Sequence, residues 1–203
     1  MNIASSVRPL PARVGPLRGE SLVSLVRRTA TALGYTGPRD LLALLADTGN
    51  VQAHVNALGP GPVLEWLAAL LRQSPDGLLS LTVHRFSSTL TFTACDSVST
   101  TICDFKTTVK YFVRATLPLC PTCLKQDITP YERLAWSLRA LPVCFEHRCW
   151  LVGRCPSCNR KLRSERPALS ACRCGKSLGD IEPISLTAVS YTHLTLPTNR
   201  VAC

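Results

Sequence analysis

Long apolar runs are missing from this sequence of 203 residues. Its most apolar stretches, LLALLA at 41–46 and VLEWLAALL at 63–71, are far shorter than the roughly 20 residues that span a bilayer. The first twenty residues also lack the apolar core of an export signal. We therefore expect a cytoplasmic protein without a membrane anchor. In that reducing compartment, paired cysteines bind metal more often than they form disulfides.

The patterns that mark common enzymes are also missing. There is no glycine-rich nucleotide-binding loop and no serine elbow. The carboxylates of Asp40, Asp47, Glu65 and Asp76 are scattered, so they do not form the acidic cluster of a two-metal nuclease. We expect a protein that is not an enzyme.

Acidic residues are few. The chain has 13 Asp and Glu against 23 Lys and Arg, with a formal charge of +10 and a pI near 9.3. This balance favours an anionic partner, most simply nucleic acid. Thiolate ligands at two metal sites would lower the charge to about +7, which is still basic.

Cysteine, by contrast, is abundant and closely spaced in the C-terminal part. The first set reads C-x2-C-x20-C-x2-H from Cys120 to His147, close to the spacing of zinc ribbons. The second reads C-x2-C-x13-C-x-C from Cys155 to Cys174. Each doublet places two ligands on one side of a tight knuckle, and two knuckles complete a tetrahedral shell. The predicted ligands of two Zn²⁺ ions are Cys120, Cys123, Cys144 and His147 for the first, and Cys155, Cys158, Cys172 and Cys174 for the second.

Both predicted sites are structural, since protein ligands fill all four positions and leave none for water or substrate. Cys149 is the cysteine most easily left out of the two ligand sets. It could replace His147 as Cys144-x4-Cys149, but the two-residue knuckle is the tighter fit. Cys95 and Cys103 have no close second Cys or His, so we interpret them as small buried or surface thiols.

Helical periodicity marks the N-terminal part. We predict helices at 19–35, 37–47 and 61–73, and a short fourth at 74–81. The first two lie close enough to form a helix-turn-helix or a plain helical hairpin. The predicted fold is mainly α with small zinc-ribbon-like elements. It comprises a helical region at 1–81, connecting strands or linker at 82–117 and a tandem zinc-finger module at 118–180.

Another helix is predicted between the first two knuckles, over PYERLAWSLRAL at 130–141. Thr129 can cap it, Pro130 suits its first position and Glu132 can complete a capping box. Its apolar side chains would form the small core of the zinc module.

Basic residues cluster in two places. Two arginines lie on the first helix and one opens the second, and a basic loop follows the second CPxC knuckle. They could contact DNA phosphates, although such charges often only face solvent. The candidate nucleic-acid contacts are Arg27, Arg28, Arg39, Arg160, Lys161, Arg163, Arg166, Arg173 and Lys176.

The C-terminal stretch VSYTHLTLPT, at 189–198, differs in character from the rest. Its ten residues are the translation of a transposon-end adapter used in preparing DNA libraries. We expect residues 189–203 to be an artefact, which removes His193 and Cys203 as ligands, and we expect the natural protein to continue past Ala188.

The zinc region resembles that of the TniQ/TnsD family of transposition proteins. The likeness lies in LCPTCLKQDITPYERLAWSLRALPVCFEHRCWLVGRCPSCNRKL and the later CRCGKSL. The opening PLPARVGPLRGESLVSLVRRTATALGY is similar to that family's proline-rich lead, GES and first helix. The resemblance covers most of residues 8–180.

This resemblance implies a bacterial accessory protein of a mobile genetic element. Such a protein binds double-stranded DNA, or a target finder such as an RNA-guided complex, and recruits an AAA+ ATPase regulator. The resemblance is also compatible with a protein that forms a dimer. Two other hypotheses stay open from the residues alone, a zinc-containing transcriptional regulator and a purely structural protein–protein module.

Overall fold

The computed structural model describes residues 8–43, 55–86, 113–114, 116–163, 166 and 168–186. This part of the chain is mostly helical with few strands. None of its helices is long and apolar enough to cross a membrane. The α-helices are α1 Leu22–Ala32, α2 Pro38–Leu42, α3 Pro62–Leu71, α4 Pro75–Leu79 and α5 Pro121–Gln126. The 3₁₀ helices are Val55–Ala57, Val83–Phe86 and Leu134–Ser137. The strands are β1 Val143–Cys144 and β2 Cys149–Trp150.

Helix α1 lies inside the predicted span 19–35, but it begins three residues later, at Leu22, and ends three residues earlier, at Ala32. The side chain of Ser21 accepts a hydrogen bond from the Ser24 N–H, and Asn56 Oδ1 accepts one from Val23 N at 2.9 Å. These contacts satisfy amides that the first helical turn leaves without a partner. At the other end Gly34 has φ +79, a left-handed conformation that suits glycine, and the helix stops there.

The other N-terminal helices follow their predicted positions. Helices α3 and α4 are confirmed, each with proline in its first turn. Helix α2 is confirmed over Pro38–Leu42, and positions 44–47 of its predicted span lie outside the described residues. These four helices share one apolar core. Its fully buried members include Leu22, Leu25, Val26, Leu41, Leu67 and Leu78.

A second apolar core lies in the C-terminal part, around the cysteines. Leu119, Leu124, Trp136, Leu162 and Leu178 pack against the buried thiols. Strands β1 and β2 pair antiparallel in a hairpin, with Val143 opposite Trp150 and Cys144 opposite Cys149. An extended segment at 184–186 hydrogen-bonds along β2. These short strands match the predicted zinc-ribbon-like elements.

The α-helix predicted at 130–141 is wrong, because the chain there is largely extended and has only one 3₁₀ turn, Leu134–Ser137. Residues 132–134 pair instead with 19–21. The Ser21 N–H donates to the Glu132 carbonyl at 2.9 Å, and the Leu134 N–H donates to the Gly19 carbonyl at 2.8 Å. This distant backbone pairing replaces the hydrogen bonds of a helix, and the Glu132 side chain is not a capping group.

Glu132 is instead the centre of a buried ionic network. Its Oε1 accepts a hydrogen bond from Arg166 Nη2 at 2.7 Å and lies 3.7 Å from Arg27 Nη2. All three side chains are less than 5% exposed. Arg27 also donates to the Arg166 carbonyl at 3.0 Å. Burial lowers the pKa of Arg166, whereas the Glu132 carboxylate raises it. This network joins α1 to the cysteine-rich part.

A second buried carboxylate, Glu20, lies beside the first. Its Oε1 accepts from the Ser24 hydroxyl at 2.8 Å, and Ser24 in turn accepts from the Glu132 N–H at 3.0 Å. Its Oε2 accepts from Leu17 N and from Arg28, each at 2.8 Å. The Gly19-Glu20-Ser21 motif therefore has a structural explanation. Gly19 turns the chain at φ +69, Glu20 anchors it and Ser21 caps α1.

The connecting region is described only at its two ends. Val83–Phe86 is a 3₁₀ helix rather than a strand, and Val113 forms a β-bridge with Leu138. Cys95, Cys103 and the tail at 189–203 lie outside the described residues. The boundaries 1–81, 82–117 and 118–180 stay a prediction.

The substitution Glu132→Gln should destabilise the metal-loaded protein by about 3–5 kcal/mol, because it removes the charge between two buried guanidinium groups. Chemical unfolding followed by circular dichroism measures the change. Glu65→Gln is the matched control, since Glu65 is exposed on α3 and its loss should cost within about 0.5 kcal/mol. Equal stability of the two variants would contradict the role assigned to Glu132.

Candidate metal centres

The first centre gathers the four ligands that the sequence predicts. Cys120 precedes α5, Cys123 lies in it, Cys144 ends β1 and His147 lies in the hairpin turn. Their ligand atoms all lie within 4.8 Å of one another. Cys123 Sγ is 3.6 Å from Cys144 Sγ. His147 Nδ1 is 3.2, 3.6 and 3.7 Å from the sulfurs of Cys123, Cys120 and Cys144.

These distances fit a tetrahedral zinc ion. Zn–S bonds of about 2.3 Å place two sulfur ligands about 3.8 Å apart, and the shorter Zn–N bond brings a nitrogen slightly closer. The ring of His147 also has the required orientation, because three sulfurs surround Nδ1 whereas Nε2 points away from them. The residues present therefore fit a Cys₃His zinc site.

Gln126 supports this centre in a way that the sequence analysis missed. Its Oε1 lies 2.8 Å from His147 Nε2, so it can accept the Nε2–H and leave Nδ1 for the metal. Gln126 follows Cys123 by three positions on α5, on the same side of the helix. The sequence signal that could have revealed Gln126 is a polar residue three positions after a predicted ligand on the same helix.

Arg133 is not a ligand, but its contacts stabilise the same centre. It makes two hydrogen bonds to Asp127, at 2.9 and 3.0 Å, and lies 4.5 Å above the ring of Tyr131 and 5.1 Å above that of Trp136. Burial lowers the pKa of Arg133, but the hydrogen bond to Asp127 raises it and the net shift is upward. Tyr131, Arg133 and Trp136 therefore form one cation–π cluster.

Cys149 lies beside the first centre without completing it. It is 1% exposed, and its Sγ is 3.5 Å from Cys120 Sγ. It is not among the four residues whose ligand atoms lie within 4.8 Å of one another. Burial, followed by the thiol contact with Cys120, raises the pKa of Cys149 to about 12. Its place outside the four-residue cluster agrees with its omission from the predicted ligand sets.

The second centre brings together Cys155, Cys158, Cys172 and Cys174, again within 4.8 Å. The Cys155–Cys174 and Cys158–Cys172 sulfur distances are both 3.7 Å, close to the edge of a zinc tetrahedron. Gly175 has φ +86 and its N–H donates to the Cys172 carbonyl, which closes the turn after the last ligand. These residues fit a Cys₄ zinc site.

One thiol in each centre has a lowered pKa. Hydrogen bonds from Cys123 and then Cys144 lower the pKa of Cys120 strongly. Burial raises the pKa of Cys155, but the N–H groups of Cys158 and Ser157 lower it, and the net pKa is about 6. Each centre thus offers a thiolate at neutral pH, the form that binds a metal.

The predicted nucleic-acid contacts divide into three groups by burial. Arg27 and Arg166 are buried and bind Glu132, so they are not available to a phosphate. Arg28 is 17% exposed and pairs with Glu20. The remaining candidates lie at least partly at the surface. They are Arg39, Arg160, Lys161, Arg163, Arg173 and Lys176.

Together, a helical N-terminal core and two closed Cys/His clusters define a protein with two candidate structural metal sites. The model of the TniQ family matches residues 11–151, well over half of the chain, and the chain belongs to the TniQ family. It is therefore a transposition-associated protein. The match includes α1 to α5 and the whole first centre. A search of curated proteins finds no match.

The purified protein should hold about two zinc ions, because each cluster offers a complete tetrahedral ligand set. Replacing a ligand, as in Cys144→Ala, should remove one ion, whereas the adjacent Cys149→Ala should retain both. Elemental analysis by mass spectrometry measures this ratio. One ion or none in the wild type, or loss of an ion from Cys149→Ala, would contradict the assignment.

Gln126→Ala should weaken the first centre about 10- to 100-fold, since the ring of His147 loses its orienting partner. Competition with a chromogenic chelator measures both affinities. Lys125→Ala is the control, because Lys125 is exposed on the same helix next to Gln126. Weakening of the second centre as well would indicate unfolding rather than loss of a ligand's support.

Proposed function

We propose that this chain is a non-enzymatic accessory protein of DNA transposition. It helps to select the target site and recruits the AAA+ regulator of the transposase. The family match over residues 11–151 carries the proposal. Its partners are double-stranded DNA, the ATPase and, in some elements, a separate target finder such as an RNA-guided complex. The same match favours this role over that of a transcriptional regulator.

Zinc has a structural part in this proposal. Four protein ligands at each centre leave no position for water or substrate, and the buried sulfurs form much of the second core. The two ions therefore hold surfaces in place for partners. The candidate DNA contacts kept in the proposal are the surface residues Arg39, Arg160, Lys161, Arg163, Arg173 and Lys176, together with the half-buried Arg28.

A pull-down with the AAA+ ATPase encoded beside the gene, with and without duplex DNA, tests the recruitment step. We expect the metal-loaded protein and Cys149→Ala to retain the ATPase. Cys144→Ala should retain less, because the first centre then no longer fixes the adjoining surface. An unrelated AAA+ ATPase serves as the specificity control. Equal retention of both ATPases, or of neither, would refute the proposed recruitment.

A further inference from the structure

A basic cleft adjoins the second metal centre. It has a volume of about 540 Å³. Of the nine described residues that line it, six are cationic and none is acidic. The cationic residues are Arg154, Arg160, Lys161, Arg163, Arg166 and Arg173. One of them, Arg154, was not among the contacts predicted from the sequence.

The backbone around the knuckle holds these charges in place. Arg154 and Lys161 face each other in an antiparallel β-bridge, and the Cys155 N–H donates to the Arg160 carbonyl at 3.0 Å. Arg154 Nη1 donates to the Asn159 carbonyl at 2.9 Å, which directs the guanidinium across the turn. The Arg154 side chain is therefore preorganised, and less of its conformational entropy is lost when an anion binds.

The cleft has a net positive charge even after its ion pairs and the adjoining metal centre are taken into account. Arg166 is neutralised by Glu132, and its other hydrogen bonds go to the carbonyls of Leu169 and Arg163. A zinc ion with four thiolates adds a charge of about −2. Arg154, Arg160, Lys161 and Arg163, whose side chains are exposed, outnumber that charge. An anionic ligand is thus favoured.

The lining also indicates which anion fits. Among the nine described lining residues there is no aromatic side chain on which a single-stranded base could stack. Four of its cations are arginines with exposed side chains. Their planar guanidinium groups can donate two parallel hydrogen bonds to phosphate oxygens. Such a lining contacts the backbone of a nucleic acid without reading base edges.

We propose that this cleft grips the phosphate backbone of duplex DNA in a sequence-independent manner, with Arg154, Arg160 and Lys161 as principal contacts. The inference rests on the proposed function and names the surface that meets DNA. The N-terminal helices are then free to contact other partners.

The test compares the full-length, metal-loaded wild type with the triple variant Arg154→Ser/Arg160→Ser/Lys161→Ser. The control variant is Arg8→Ser/Arg13→Ser/Arg85→Ser, which removes the same charge from exposed arginines outside the cleft. Fluorescence anisotropy measures the binding of two duplexes of unrelated sequence, and of one single strand, over a salt series. Both variants must first show the wild-type metal content.

We expect the cleft variant to bind both duplexes at least about tenfold more weakly, with a log–log salt slope shallower by about 3, while the control stays within about threefold of the wild type. Equal binding by the two variants would place the DNA contacts elsewhere and overturn this inference alone. A wild-type preference for the single strand or for one duplex would overturn it too. Absence of any duplex binding at low salt would also remove DNA from the proposed function.

Discussion

A single buried carboxylate, that of Glu132, joins three stretches of chain that are far apart in sequence. It holds Arg27 of α1 and Arg166 of the loop between the cysteines of the second metal centre. Removing three charged groups from water is costly unless they find partners, so this shared carboxylate favours the observed placement of α1 beside the two centres. The extended pairing of 132–134 with 19–21 follows from that placement.

The metal ligands could be predicted from the sequence because the constraint is local. The eight candidate ligands fall into four pairs, each separated by only one or two residues, and such a pair can be read directly from the sequence. Helices α1, α3 and α4 could be predicted for a similar reason, since their caps and prolines act within one turn. Gln126 was missed because the role of a side chain outside the ligand set depends on a partner in another element.

What the sequence could not reveal depends on contacts between distant residues. Arg27 and Arg166 resemble surface charges in the sequence, and only a partner 139 positions away shows that they are interior. The sequence at 130–141 has a helical pattern, but the backbone of 132–134 forms its hydrogen bonds with residues 19–21 instead. Helix propensity is weaker than such tertiary pairing. The cleft beside the second metal centre likewise emerges only when Arg154 and Arg173 are brought together.

The ion pair between Glu132 and Arg166 has a topological consequence. Glu132 lies in the loop that the first metal closes, between Cys123 and Cys144, and Arg166 lies in the loop that the second closes, between Cys158 and Cys172. The pair therefore connects two closed loops. Once one metal has closed its loop, the other loop is already held near its final shape and loses less chain entropy on closing. The two ions should consequently load in a cooperative manner, each lowering the entropic cost of the other.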